Sequence, residues 1–177
     1  MRPRLLANAF GLPRLLLAAA VILAPVAAIA KSTDRNQDML LDSDTTDGIM
    51  DGNSTTVWSG NVILKQGTLE IKAQRAELTQ RNGDPSRAVF TGKQVKLRQQ
   101  LDDGSWMDAQ ADRVEYDMSS ETITFIGNYT VKSDRGSNSG QRMVYNTKTG
   151  NIQSGGDGSR VRTVIKPKSA APAQGKN

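Results

Sequence analysis

Polar and apolar residues alternate along most of residues 38–165, which predicts β-strands rather than helices. Residues 121–132 give the clearest example, because they alternate almost throughout, with most apolar residues on one face and the threonines on the other. The apolar face consists of Ile123, Phe125, Tyr129 and Val131. Turn sequences rich in Gly, Asn and Asp separate about ten such strands. We therefore predict an all-β chain with antiparallel pairing.

Two short sequence elements recur along these strands. The first has an aromatic-x-Gly-polar core and occurs at Trp58–Asn61, Phe90–Lys93 and Phe125–Asn128. The second occurs at Ala73–Leu78, Ala111–Tyr116 and Gly140–Tyr145. Recurrence at a nearly constant spacing indicates one supersecondary unit copied along the chain.

The apolar spacing changes from two residues to three at Gln74-Arg75 and again at Asp112-Arg113. In a regular strand, an extra residue between apolar positions would move the following apolar side chains to the opposite face. Each strand is therefore predicted to have a bulge or corner there. Strands bent in this way predict a twisted, open β-jellyroll of two facing antiparallel sheets, built from repeated strand pairs. The inward residues could form an ordinary core or line an apolar trough, and composition favours the core.

The first thirty residues have the features of a cleaved secretory signal peptide. Arg2, Arg4 and Arg14 are its basic residues, an apolar run follows, and small residues at 28–30 suit cleavage before Lys31. We predict a signal peptide at 1–30, a flexible N-terminus at 31–37, the β-domain at 38–165 and a disordered basic tail at 166–177. Without a cysteine in its 177 residues, the chain has neither a lipid-anchoring thiol nor a disulfide.

The sequence provides little for catalysis. It contains no His and no Cys, and Asp102, Asp103, Asp108 and Asp112 lie in or beside a turn, where carboxylates are usually solvated. The acidic residues 42–48 differ from a calcium loop in spacing and lack its distal Glu, so a charged strand end is the better interpretation. We predict a protein that is not an enzyme and needs no metal and no cofactor.

Charge argues against nucleic acid as a partner. Three of the 23 basic residues lie in the predicted signal, which leaves 20 basic against 18 acidic residues. Binding to a phosphate backbone requires a concentrated basic stripe. An open array also leaves edge strands free to pair with partners, although charged edge residues can equally prevent such pairing. The predicted partner edges are Met39, Leu40 and Leu41 at one end and Val161, Thr163 and Ile165 at the other.

The ordered motifs resemble the OstA-like (LptA) family of periplasmic lipopolysaccharide-transport proteins. The resemblance covers residues 38–165 and is carried by Leu41–Asp44, Trp58–Val62, Gln66–Ala73, Ala111–Tyr116 and Phe125–Asn128. The region of Phe90–Lys93 departs from the family pattern. The resemblance implies a jellyroll in the periplasm of a Gram-negative cell that carries lipopolysaccharide towards outer-membrane assembly, with the acyl chains in the trough and the sugars outside.

The resemblance also implies partners and a lining. The partners would be the membrane-anchored jellyroll of the inner-membrane transporter, the periplasmic domain of the outer-membrane translocon, and further copies of this chain joined head-to-tail. The expected lipid-binding residues are Met39, Leu41, Val62, Leu64, Leu69, Ile71, Val95, Leu97, Val114, Tyr116, Ile123, Phe125, Tyr129, Val131, Met143 and Tyr145. The alternatives are a secreted structural or adhesin-type β array and a carbohydrate-binding module, both without lipid cargo.

Overall fold

Long antiparallel strands, as the alternation predicts, make up most of the structure. The computed structural model describes residues 33–49 and 51–167, so the predicted signal peptide and most of the predicted tail lie outside the described residues. One short 3₁₀ helix at Asp34–Asn36 precedes the strands. The strands are β1 (Met39–Asp42), β2 (Thr45–Asp47), β3 (Thr55–Gln66), β4 (Leu69–Arg81), β5 (Asp84–Gln100), β6 (Trp106–Asp117), β7 (Thr122–Ser133), β8 (Gly136–Asn146), β9 (Ile152–Ser154) and β10 (Arg162–Ile165).

The hydrogen-bonded ladder joins all of these strands into one sheet. Strands β3 to β8 pair in sequence order, β1 and β2 pair with β3, and β9 and β10 pair with β8. The prediction of an all-β chain with about ten strands in antiparallel pairing is therefore confirmed for the described residues. The ladder is continuous, so the described strands form one hydrogen-bonded sheet, and its division into two facing sheets stays a prediction.

A corner interrupts each of the long strand pairs near its middle. The register shifts between Ser59 and Val62 in β3, and equivalent shifts occur in every following pair up to β7–β8. The shifts in β4 and β6 include the predicted positions, since they lie between Lys72 and Arg75 and between Gln110 and Arg113. The extra residues keep the apolar side chains on one face of each strand after the bend.

Left-handed backbone conformations make the first and last of these corners. Gly60 and Asn61 have φ values of 78° and 47°, and Gly127 and Asn128 have 76° and 45°. Only Gly and, at some cost, Asn adopt this region readily, which explains the Gly-Asn pair in both copies. Gly92 in the intermediate copy does not have a positive φ, and its register shift is longer, from Thr91 to Val95.

The corners divide the sheet into two parts. We call half A the part next to the turns at residues 67–68, 101–105 and 134–135, and half B the part next to the turns at 82–83, 118–121 and 147–151. The apolar faces of both halves belong to one buried cluster. The described residues contain no long helix that could cover this face, so the two halves of the sheet must cover each other.

Candidate functional site

The apolar interior between half A and half B is the candidate site. The predicted lining residues are all buried there except Met39 and Leu41, which are partly buried and pack against the same cluster. Fully burying an aliphatic or aromatic side chain contributes about 1.5–3 kcal/mol, so this cluster is the main source of stability. The structure thus brings the predicted residues together, while their role in binding lipid stays a prediction.

Most of the interior is tightly packed. Val62, Ile71, Val114 and Phe125 have no exposed surface, although they lie in four different strands. Along most of the sheet the inward side chains therefore pack against one another, as they would in an ordinary core or in an empty, closed trough. An opening into this interior lies where the strand ends of the two halves meet.

An apolar cavity of about 300 Å³ opens at these strand ends. Half A contributes Leu101, Met107 and Val131, and half B contributes Tyr145 and Ile152 on the opposite side. We call this cavity the mouth. Ile152 is 52% exposed at its edge, whereas Met107 is 4% exposed. The mouth therefore leads from solvent to the buried cluster.

Polar groups line one side of the mouth without entering the cluster. Ser133, Arg135 and Gly150 complete its wall. The Arg135 guanidinium donates to the Asp103 carboxylate across 2.7 Å, in the neighbouring turn. Hydrogen bonds from Ser105, together with Arg135, hold the pKa of Asp103 below its usual value. The mouth consequently has an apolar wall and a charged rim.

A second contact between the halves lies at the N-terminal end of the domain. Residues Thr33–Gln37, which we call the strap, include the 3₁₀ helix. Asp34 is buried and accepts hydrogen bonds from Thr68 and from Gln99, both in half A. Arg35 pairs with Glu121 in a turn of half B at 2.7 Å. The strap therefore joins the two halves across their strand ends, in a region that the sequence pattern assigned to a flexible N-terminus.

The strap also adjoins the buried Tyr116. Burial raises the pKa of the Tyr116 phenol, and the negative charge of Glu121 raises this pKa further, against the opposing effect of Arg35. The phenol therefore stays neutral in the physiological range, as an apolar interior requires.

The two outermost strand pairs leave backbone edges open. At one end β1 and β2 pair only with β3, and at the other β9 and β10 pair only with β8. Met39, Leu40 and Leu41 lie within the first edge, and Leu40 is 55% exposed. Thr163 and Ile165 lie within the second edge, whereas Val161 lies one residue before β10. Both predicted edges therefore exist, and pairing with a partner there stays a prediction.

Sequence reasoning missed part of the mouth. Leu101 directly follows β5 and continues the buried alternation of Val95, Leu97 and Gln99, so the phase of that strand could have found it. Ile152 begins a strand of only three residues, too short for an alternation to show. Met107 shares a face with Ala109 and Ala111, and this pattern was the one signal that could have found it. Asp44, in the sequence that resembles a calcium loop, accepts a hydrogen bond from the Asn61 amide at 3.0 Å. Among the described residues no group of three or more potential ligands could hold a metal ion.

Within residues 33–49 and 51–167, no helix is both long and apolar enough to cross a membrane.

A family model described as "LptA/(LptD N-terminal domain) LPS transport protein" matches residues 41–151. The lipopolysaccharide export system protein LptA of Haemophilus influenzae is 31% identical over 167 residues, covering 92% of this chain and 96% of that protein. The protein of the same name from Escherichia coli K12 is 30% identical over 156 residues, covering 86% and 84%.

A solved structure has the same fold. The crystal structure of LptH from Pseudomonas aeruginosa, described as the LptA-homologous periplasmic component of the lipopolysaccharide transport device, matches with a TM-score of 0.70. The match covers 76% of this chain and 99% of that one at 21% sequence identity. This likeness supports the β-jellyroll fold independently of the sequence comparison.

Proposed function

Because this chain belongs to the family of LptA and the LptD N-terminal domain, the lipopolysaccharide transport proteins, we propose that it is a periplasmic carrier of lipopolysaccharide. It takes the glycolipid from an inner-membrane transporter, shelters the acyl chains, and passes the molecule towards an outer-membrane translocon. The relatives are named as export proteins, which favours transport over catalysis.

The observation that carries this proposal is the mouth. Its wall is formed by apolar side chains of both halves and leads directly to the buried cluster. Each methylene transferred from water to such a surface gains about 0.8 kcal/mol. A volume of about 300 Å³ is at the lower end of ligand pockets, which span about 300–1,000 Å³. The mouth therefore receives the first part of a chain, and deeper entry requires the packed halves to separate.

The free edges supply the partner surfaces. A β-strand from another molecule can extend the sheet along β1 and β2 or along β9 and β10, because the outward edges of these strands pair with no other described strand. We assign the first edge to the anchored inner-membrane partner or a preceding copy. The second edge is assigned to a following copy or the translocon. A structural β array would use the same edges, but it gives no reason for an apolar mouth.

A titration with lipopolysaccharide tests the proposal. The protein is titrated with acylated lipopolysaccharide while the fluorescence of its two tryptophans is followed. Ile152→Glu places a charge at the exposed edge of the mouth and should weaken binding about tenfold, which corresponds to about 1.4 kcal/mol. Ile49→Glu is the matched control, because Ile49 is 71% exposed and lies outside the mouth.

The outcomes separate the candidates. Saturable binding that Ile152→Glu weakens and Ile49→Glu leaves unchanged supports an acyl-sheltering carrier. Absence of binding to acylated lipopolysaccharide by the folded protein favours a structural β array. If Ile152→Glu and Ile49→Glu bind acylated lipopolysaccharide equally well, the mouth is not where the acyl chains enter.

A further inference from the structure

The outer face of half A has a groove at the same strand ends that form the mouth. Two adjoining hollows, of about 300 and 410 Å³, share Arg98, Asp108 and Lys132. We call the two together the outer groove. It lies on the solvent side of β4 to β7, opposite the face that carries Met107 and Val131.

Basic residues outnumber acidic ones by one in the outer groove, with Lys72, Lys96, Arg98 and Lys132 against Glu70, Asp108 and Asp134. Lys72 lies directly opposite Lys96 in the register of β4 and β5, and like charges in that position repel. Glu70 pairs with Lys72 at 2.8 Å, but Lys96 has no ion-pair partner among the described residues. A bound anion would relieve this repulsion.

Lys132 adds a second available cation. It lies opposite Asp108 in the register of β6 and β7, but the Asp108 carboxylate is 3.7 Å from the guanidinium of Arg98. Lys132 is exposed and, within the described part of the chain, has no ion pair of its own. Lys96 and Lys132 therefore face the groove as charges that an anionic ligand could neutralise.

An exposed tryptophan lies at the end of the same groove. Trp106 is 40% exposed, and the Arg98 guanidinium lies over its ring at 4.6 Å from the centroid. The guanidinium holds the indole in one orientation. A fixed aromatic surface with charged groups beside it suits a sugar, whose C–H face stacks on the ring while its hydroxyls and anionic groups contact the charged side chains.

The rim between the two faces connects this groove with the mouth. Ser133 lines both the mouth and the hollow that contains Trp106. A molecule with an apolar part and a polar part could therefore place one on each side of Ser133. Lipopolysaccharide has this chemistry, since its acyl chains are attached to phosphorylated sugars.

We propose that the outer groove binds the phosphorylated saccharide of the glycolipid whose acyl chains enter the mouth. This inference rests on the proposed function and adds a second subsite to it. Trp106 stacks on a sugar ring, while Lys96 and Lys132 neutralise phosphate groups. The outer groove then determines the side of the mouth on which the saccharide lies.

Fully deacylated lipopolysaccharide, which retains its sugars and phosphates, is the probe. Calorimetric titration of the protein recovered from the periplasm should show saturable binding. Trp106→Ala, and separately Lys96→Gln combined with Lys132→Gln, should each weaken this binding at least tenfold. Trp106→Phe keeps an aromatic ring and should retain most of the affinity. Arg81→Gln combined with Lys148→Gln removes the same charge from exposed sites in half B and should change the affinity less than twofold.

Two further ligands identify the chemistry. The enzymatically dephosphorylated saccharide should bind at least tenfold more weakly than the phosphorylated one. Inorganic phosphate at the same concentration should not saturate the site. Equal binding of both saccharides, or saturation by phosphate alone, overturns the assignment of a phosphorylated saccharide.

The failure of this inference can be told from the failure of the proposed function. A protein that binds acylated lipopolysaccharide but not the deacylated saccharide contradicts the outer groove and leaves the carrier role intact. A protein that binds the saccharide but not the acylated form contradicts the acyl-sheltering mouth. Undiminished saccharide binding in the Trp106→Ala variant also overturns the inference.

Discussion

At the scale of single residues, the corner glycines carry a constraint that the strand pattern alone does not reveal. A Cβ built on Gly127 would lie 2.6 Å from Oδ2 of Asp112, the carboxylate that accepts a hydrogen bond from Asn128 at 2.8 Å. Gly83 has a similar φ of 87°, but no heavy atom lies within 4 Å of its Cβ position. The two glycines therefore separate the cost of backbone conformation from the cost of a close contact.

We predict that Gly127→Ala destabilises the domain more than Gly83→Ala does. Both variants place Ala at a positive φ, which costs about 1–2 kcal/mol. Gly127→Ala must also displace the Asp112 side chain and weaken its bond to Asn128, which adds about 1 kcal/mol. Urea unfolding followed by circular dichroism measures the difference. Equal losses of unfolding free energy would mean that Asp112 moves aside without cost.

At the scale of secondary-structure elements, the strap is the part of the fold with the least signal in the sequence. Its polar residues show no periodicity, and its side-chain hydrogen bonds to the rest of the domain reach distant residues such as Gln66, Gln99 and Glu121. The long strands are different, because the alternation of polar and apolar residues indicates which face of each strand is buried. The corners were predictable for the same reason: a third residue between apolar positions has to be absorbed by a bulge.

The candidate site was predictable to the same extent. The lining residues follow from the phase of the strands, so all of them lie in or against the interior cluster. The sequence could not show that the cluster is packed along most of its length, since packing depends on how the two halves approach each other. Nor could it place the mouth, because the cavity brings Leu101, just after β5, together with Tyr145 of β8 and Ile152 of β9, which lie far along the chain.

We predict that Asp34→Ala loosens the strap. The substitution removes the acceptor for Thr68 and Gln99 in a buried position, which should lower the unfolding free energy by about 1–3 kcal/mol. It should also increase the fluorescence of a hydrophobic dye, because the strand ends beneath the strap become accessible. Asp38→Ala is the control, since Asp38 is exposed just before β1. An unchanged dye signal in a destabilised Asp34→Ala variant would show that the strap stabilises the fold without covering the interior.

At the scale of the whole molecule, one sheet has to serve two purposes. Its bent strands enclose the apolar interior, and its first and last strands remain open to other chains. The interior is closed along most of the sheet, so passage of a lipid from one copy to the next requires their mouths and interiors to align. The proposed edge-to-edge pairing would achieve such alignment, because a hydrogen-bonded ladder fixes the register of both partners.

Cysteine crosslinking tests head-to-tail assembly directly, because the chain has no cysteine of its own. Asp42 in β1 and Arg162 in β10 are both exposed and lie on opposite edges of the sheet. We predict that the double variant Asp42→Cys with Arg162→Cys forms a ladder of disulfide-linked oligomers under mild oxidation, resolved on a non-reducing gel. In head-to-tail pairing the β10 edge of one copy meets the β1 edge of the next, so each oligomer keeps a free edge at both ends and can add further copies. A symmetric pairing of like edges would instead allow each single variant to form dimers.

The matched control keeps the cysteine at position 42 in β1 and moves the second cysteine away from β10. Asp42→Cys with Lys148→Cys places the second thiol in the exposed turn between β8 and β9, away from the β10 edge. Random collisions would link this control as efficiently as the edge variant, and that result would contradict pairing between β1 and β10. A ladder confined to the edge variant means that the sheet continues from copy to copy. The mouths would then lie along one line, as a bridge for lipid requires.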